Sequence, residues 1–326
     1  MSAKPLHLLL ITLILCFFTS IASAQVGPRL LTDQWRGLHH YGETYDQPIL
    51  IYGNQTTRNE SIDLVYYPSQ GKGRTNPQEV EPTWRAGYKF ITVMSTNNFG
   101  LPSGLNDLAF QGAYKVGELT DNWHLEIGAG IGSANDGHWD NTEALYGLGD
   151  IIVKSQLDPK TILSVGIGYD GNRNLFPDIP LPIVQYHQLI NDTFRYRLGL
   201  INGFTWTPND AFELDADVGM LLSNQLLGIN ASATYSINKN IQFFAQFLNA
   251  RSGFFLENQG TQRMFYFANY GLIGGTYVFN EKMDLSAGVG YAFDQRFAQG
   301  FDIRHLETFR ELNSHFLFFF KLNGTF

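Results

Sequence analysis

Cysteine is almost absent: Cys16 is the only one in 326 residues. That excludes a disulfide framework and any cysteine-based zinc site. Charge is scarce too, at 16% of the chain against about 25% in ordinary soluble domains. What charge there is leans negative, with a formal net of −8. This argues against a nucleic-acid binder, which carries a basic footprint to neutralise phosphates. Mean hydropathy is −0.14, too low for a bundle of transmembrane helices. Aromatics (14%) and glycine (33 residues) are plentiful instead. Such a composition fits a β-rich chain with one apolar face and one small, polar face.

Residues 1–24 read as a secretory signal peptide. Lys4 supplies the positive start, Leu8 to Phe18 is apolar apart from Thr12, and Ala22-Ser23-Ala24 forms an A-x-A site before Gln25. The apolar run is shorter than the roughly 20 residues of a spanning helix. Leu15 before Cys16 does not fit a lipoprotein site. Cleavage leaves a chain without cysteine, and loss of Lys4 takes its net charge to −9.

Residues 25–82 differ from the rest, ending in the Pro/Gly-punctuated PSQGKGRTNPQEVEP at 68–82. They are expected to form a periplasmic or plugging segment, although Ile62, Leu64 and Tyr66 alternate as in a strand. From 83 onward, segments of about ten residues alternate apolar with small or polar, the pattern of membrane β-strands. In 227–237, Leu227, Ile229, Ala231, Ala233, Tyr235 and Ile237 oppose Gly228, Asn230, Ser232, Thr234 and Ser236. Segments 283–294 and 123–132 repeat this period of two, which a helix would scatter. A soluble β-sandwich also alternates, but its outer faces carry more Lys and Glu.

The chain closes on Phe316, Phe318, Phe320, Leu322 and Phe326, all on one face. This end resembles that of Gram-negative outer-membrane proteins, where it acts as an assembly signal. The stretch PDIPLPIVQYHQLINDTFRYRLGLINGFTWTPND (177–210), with RMFYFANYGLIGGTYVF and LSAGVGYAFDQRF, resembles a family of uncharacterised outer-membrane barrels catalogued as a domain of unknown function. That resemblance implies a fold and a place, and no activity or site.

Short polar turns fall at 120–122, 158–160, 191–192, 208–210, 238–240 and 280–282, with longer connections between them. If short turns are periplasmic, segment 193–207 cannot cross once. Omitting it leaves an all-β, transmembrane antiparallel barrel of about twelve strands over residues 83–326. Splitting it into two strands makes fourteen. Trp84, Trp123, Trp206, Tyr235 and Phe279 lie beside the short turns, as an interfacial aromatic girdle would.

Little here points to catalysis, and no enzyme is expected. Ser314 and His315 are adjacent, so on a strand they point to opposite faces and cannot pair as nucleophile and base. His39, His40 and His138 show no metal-ligand spacing, so neither metal nor cofactor is expected. Glu213, Asp215 and Asp217 share one lumen face, and Arg195 and Arg197 alternate in the segment before them. They are candidate lumen charges, either biasing ions or neutralising one another. The first expectation is a passive pore for small polar solutes. The alternatives are a transporter of hydrophobic compounds with an N-terminal plug, or a filled structural or surface-interaction barrel. Expected partners are outer-membrane lipid, lipopolysaccharide and the outer-membrane assembly machinery, with no nucleic acid.

Overall fold

In surroundings without water, every backbone N–H and C=O of a strand needs a partner on both sides, and only a sheet that returns on itself supplies them all. The computed structural model has that pattern. It describes residues 49–57, 60–67, 84–95, 101–199, 201–219, 228–280 and 283–324. Its strands are β1 (Ile49–Thr57), β2 (Glu60–Tyr67), β3 (Trp84–Ser95), β4 (Gly104–Thr120), β5 (Trp123–Asn135), β6 (Leu145–Asp158), β7 (Thr161–Asp170), β8 (Leu181–Asn191) and β9 (Phe194–Gly199). They continue as β10 (Ile201–Asn209), β11 (Phe212–Gly219), β12 (Gly228–Asn238), β13 (Ile241–Phe255), β14 (Arg263–Asn280), β15 (Met283–Gly300), β16 (Glu307–Leu312) and β17 (His315–Gly324). One 3-10 turn, Thr142–Ala144, interrupts the strands.

Each strand from β1 to β15 pairs antiparallel with the next. β16 and β17 lie end to end along β15, with Gln295 opposite Leu312 and Ala292 opposite His315. β17 then pairs with β1, Phe318 opposite Tyr52, and β1 with β2. The pairing therefore runs in a circuit of sixteen positions, the last occupied by β16 and β17 together.

Burial is inverted relative to a soluble protein. Ile131, Ile151, Ile167, Ile273 and Phe318 are 57–63% exposed on the outer face. Glu126, Asp150, Lys154, Gln185 and Arg197 are buried on the inner face. Soluble proteins bury their large aliphatic side chains and leave charges outside. An exterior with this band of isoleucine, valine and aromatic residues suits hydrocarbon.

The short turns owe their tightness to side-chain capping. Asn209 Oδ1 accepts from the Ala211 and Phe212 amides at 2.9 and 3.1 Å. Asn238 does the same for Asn240 and Ile241, and Asp158 for Lys160. Asx side chains thus satisfy amides that no strand reaches.

The barrel reading holds, and its strand number is corrected from twelve to sixteen. Segment 193–207 forms two short strands, β9 and β10. Their turn is not marked by a polar cluster. It rests on Gly199, at φ 128, where a side chain would strike the Val184 carbonyl. Asn202 secures it, accepting from the Gly199 amide and donating to its carbonyl, both at 3.1 Å. The other two strands come from the region assigned to a periplasmic or plug segment. Residues 49–57 and 60–67 are hydrogen-bonded into the sheet, so the barrel includes strands that precede residue 83. The expected signal peptide, with Ala22, Ala24 and Gln25, lies outside the described residues, as does Phe326.

In β12, Ile229, Tyr235 and Ile237 are exposed outward, while Ser232 stands opposite Asp215 and Gln246. Ala231→Arg is expected to cost about 2–4 kcal/mol in refolding into lipid, because it sets a charge on the outer face. Ser232→Arg, one residue on, faces the interior and should fold. Urea titration of both variants in lipid vesicles checks this.

Candidate functional site: the capped barrel interior

Inward-facing residues divide the interior into two walls. The first, on β4–β11, is polar and internally paired. Lys154 Nζ donates to Glu126 Oε1 at 3.1 Å, both side chains being 1–2% exposed. Gln111 Nε2 donates to Asp150 Oδ2 at 2.5 Å. Arg197 Nε donates to Asp217 Oδ1 at 2.5 Å, and Arg197 Nη2 reaches Asp215 Oδ2 at 3.4 Å. Arg195 Nη2 donates to Thr205 Oγ1 at 3.2 Å, and that hydroxyl donates to Asp215 Oδ2 at 2.6 Å. Charges removed from water persist when paired and hydrogen-bonded. Lys154–Glu126 and Arg197–Asp217 meet that condition strand to strand, whereas the buried Asp150 has the neutral Gln111 on Oδ2 and no hydrogen-bond partner on Oδ1 among the described residues.

The second wall, on β13, β14, β15 and β17, is apolar. Phe254, Met264, Tyr266, Tyr270, Leu272, Phe297, Leu317 and Phe319 form one buried cluster with Val93, Leu101 and Leu105. Inward glycines make room for it. A side chain at Gly288 would meet the Phe319 ring at 2.7 Å, and one at Gly290 would strike Leu272. Polar groups enter it as hydroxyl contacts: Tyr266 Oη lies 3.2 Å from Tyr270 Oη and donates to Gln295 Oε1 at 3.0 Å, and nearer the short turns Thr276 Oγ1 lies 2.8 Å from Ser286 Oγ.

A cap lies over the mouth at the long-loop end. The tip of the β13–β14 hairpin folds toward β4, β5 and the 3-10 turn, on the opposite side of the circuit. Phe255 packs there against Ala109, Ala134, Tyr146 and Leu148. The Glu257 amide donates to Asp136 Oδ2 at 2.9 Å. Among the described residues β12 pairs with β13 as far as Leu248, and the β13 edge above it finds side-chain partners. Loop 171–180 provides them: Asn172 Nδ2 donates to the Gly253 carbonyl at 3.1 Å and Asn174 Nδ2 to the Arg251 carbonyl at 3.4 Å. Asn172 Nδ2 also reaches Asp107 Oδ2 at 3.1 Å, and Tyr146 Oη donates to Asp107 Oδ1 at 2.6 Å.

Arg263, fully buried, ties the cap together. It donates to Asn172 Oδ1 and to the Arg173 carbonyl, each at 3.0 Å, and to the Phe301 carbonyl at 2.7 and 2.9 Å. Its guanidinium sits 4.7 Å from the Phe265 ring centroid. Sequence reading missed this residue, because its partners are backbone carbonyls of loops distant in the chain.

The candidate lumen charges do meet. Asp215, Asp217, Arg195 and Arg197 form one cluster, with Glu213 on the same face but nearer the short-turn end. The pairing of Arg197 with both aspartates favours mutual neutralisation. Lys154–Glu126 escaped sequence reading, since the two lie on separate strands and neither stands in a run of charge. Trp206, Tyr235 and Phe279 are 41–54% exposed, and Trp123 is half-buried, all at strand ends beside short turns. Trp84 begins β3 at the same end, opposite Tyr114. Phe316 and Phe318 are 81% and 63% exposed outward; Phe320 and Leu322 continue β17. His315 Nδ1 lies 3.1 Å from Gln295 Nε2, an interaction of the broken last strand.

No protein-family model matches the chain, and no curated protein matches it. Among solved structures, the chain is similar to the toluene transporter TodX of P. putida, at 9% identity and a TM-score of 0.32. The alignment covers 94% of this chain and 96% of that one. A likeness this distant carries neither substrate nor mechanism across.

Two outcomes are expected. Asp217→Ala leaves Arg197 short of a buried partner and should cost about 3–5 kcal/mol; Arg197→Met with Asp217→Leu should restore much of it. Denaturant midpoints of the refolded variants measure both. The second concerns His138, whose pKa is raised from 6.5 by its hydrogen bond with Asp136 and by the charge of Glu257. The raised value means that this tie is fully present below the ordinary histidine pKa and is lost as pH rises through the raised one. Hydrogen exchange in 256–262, corrected for intrinsic rate, should be slower at pH ~6 than at pH ~8, and His138→Gln should remove the difference.

Proposed function

We propose that the protein is a bacterial outer-membrane barrel that carries small apolar molecules inward from its capped, long-loop mouth. The observation that carries this reading is the apolar inner wall. It runs from Phe254 and Met264 beneath the cap to Phe244 and Phe319 deeper in the barrel. An apolar solute gains about 25 cal/mol for each Å² that it removes from water, so this wall favours such a solute and offers little to a hydrated one. A passive polar pore, the first expectation from sequence, needs water where these rings pack. The outward apolar band supports residence in a membrane. The A-x-A site and the aromatic end strand support export, cleavage before Gln25 and insertion by the outer-membrane assembly machinery. The role proposed is carriage rather than catalysis.

A second reading is a filled structural barrel, favoured by the buried Lys154–Glu126 and Arg197–Asp217 pairs. Uptake of a radiolabelled small aromatic hydrocarbon by cells with and without the protein separates the readings. Uptake should rise several-fold with the protein. It should fall for Leu105→Glu, which sets a charge in the apolar wall, at an unchanged level of heat-modifiable, folded barrel. No uptake together with ion conductance in planar bilayers would restore the polar pore, and neither activity would favour the filled barrel.

A further inference from the structure

A pair of arginines on the outer wall stands at the height of lipid headgroups. Arg251 on β13, Phe267 on β14 and Arg296 on β15 are direct cross-strand neighbours in one row. Directly opposed residues share a face, and Phe267 shares its face with the outward Ile273, Tyr277 and Phe279. Both guanidiniums lie over the same ring, at 5.6 and 4.8 Å from the Phe267 centroid. Both side chains are half-buried. The ring holds two like charges near one another, an arrangement that an anion between them would relieve.

The height follows from the strand itself. Phe267 lies ten residues from Tyr277, which marks the short-turn girdle. At about 3.3 Å per residue and a tilt of about 40°, that is about 25 Å along the barrel axis. The apolar band of such barrels is about 25 Å tall. Tyr291, Phe293 and Phe316 form a packed aromatic group just below the row, on the apolar side. Asn249 and Asn269, hydrogen-bonded to each other, occupy the row between. Phe293 stands directly opposite Asn269 in that row, with Tyr291 below it, so from apolar band to polar rim the rows read Tyr291, then Asn249–Asn269–Phe293, then the two guanidiniums. Carboxylates lie nearby as well: Asp294 Oδ1 accepts from Arg296 Nη1 at 3.0 Å and is 63% exposed, Asp294 Oδ2 accepts from Asn269 Nδ2 at 3.3 Å, and Glu311 stands opposite Arg296.

We infer that Arg251 and Arg296, bracketing Phe267, form a binding site for the phosphate group of a phosphorylated lipid in the leaflet facing the long loops. Guanidinium presents a planar fork of donors that matches phosphate oxygens. Phe267, itself 5% exposed and packed with Phe265, Ala298, Ile303 and Leu306, braces both forks from below, and the exposed rings of Tyr291 and Phe316 beneath the row give the lipid's apolar part a surface to lie on. Binding draws Arg296 partly away from Asp294, whose exposure lets water take its place. The site depends on the membrane placement of the barrel but not on what the barrel carries. Lipid retention and hydrocarbon uptake therefore fail separately.

The test uses the full mature chain, purified in detergent and incubated with diphosphorylated lipid A or with the same lipid after removal of its phosphates. Native mass spectrometry counts the retained lipid. Wild type should hold the phosphorylated form and lose it on dephosphorylation. Arg251→Gln with Arg296→Gln should retain at least about tenfold less, since the charge-assisted hydrogen bonds to phosphate are lost. The single variants should fall between. Heat-modifiable gel mobility verifies that each barrel is folded. A variant pair with lysine at both positions, which keeps the charge, gives the same reading where the glutamine pair does not fold: it should retain lipid, but less than wild type. Equal retention by folded wild type and variants, or equal binding of the dephosphorylated lipid, would overturn the proposal. Displacement of the lipid by millimolar inorganic phosphate alone would overturn it too, by reassigning the site to a free anion.

Discussion

The pairing of every backbone amide and carbonyl around the circuit is the constraint on which the rest depends. Strand ends and breaks are where it is hardest to meet, and there side chains take over. Asn209 and Asn238 cap the amides of short turns. Asn202 closes the β9–β10 turn. Asn172 and Asn174 donate to the β13 carbonyls of Gly253 and Arg251. The cap over the mouth thus rests partly on loop 171–180 bonding to the β13 edge, while β14 stays paired with β15 as far as Arg263 opposite Gly300.

Closure turns the usual logic of burial outward. Apolar residues gain by facing outward, which leaves the interior to be filled by what remains. On β4–β11 the filling is charge and amide, stabilised by pairs such as Lys154–Glu126 whose single members would be costly to strand. On β13–β17 it is aromatic and aliphatic. The two walls meet beneath the hairpin tip, where Asp107 and Tyr146 on one side lie near Phe255 and Gly253 on the other. Arg263 holds this junction through the carbonyls of Arg173 and Phe301, which ties the hairpin end to two loops at once.

Much of this was legible in the order of residues. The alternation in 227–237 and 283–294 gave the outward faces of β12 and β15, because a period of two survives any tertiary context. Polar turn residues marked six of the hairpins. The β9–β10 turn was hidden because a lone positive-φ glycine inside an apolar run makes it. β1 was hidden because polar, punctuated sequence surrounds it, whereas the alternation of Ile62, Leu64 and Tyr66 in β2 was visible but lay in a region assigned to a periplasmic or plugging segment. The carboxylates of β11 were assigned to the correct face, yet their effect depends on Arg197, which reaches Asp217 only through the pairing of β9, β10 and β11.

By itself, then, the sequence determined the class of fold, the facing of most side chains and the side on which the short turns gather. These are local properties, set by alternation and turn chemistry within a dozen residues. Tertiary structure alone decided the number of strands in the circuit, the division of the interior into polar and apolar walls, the capped mouth and the row of Arg251, Phe267 and Arg296. Each of these depends on register between strands and on contacts between residues far apart in the chain. Local periodicity is blind to them, because shifting one strand by two residues preserves every face and changes every neighbour.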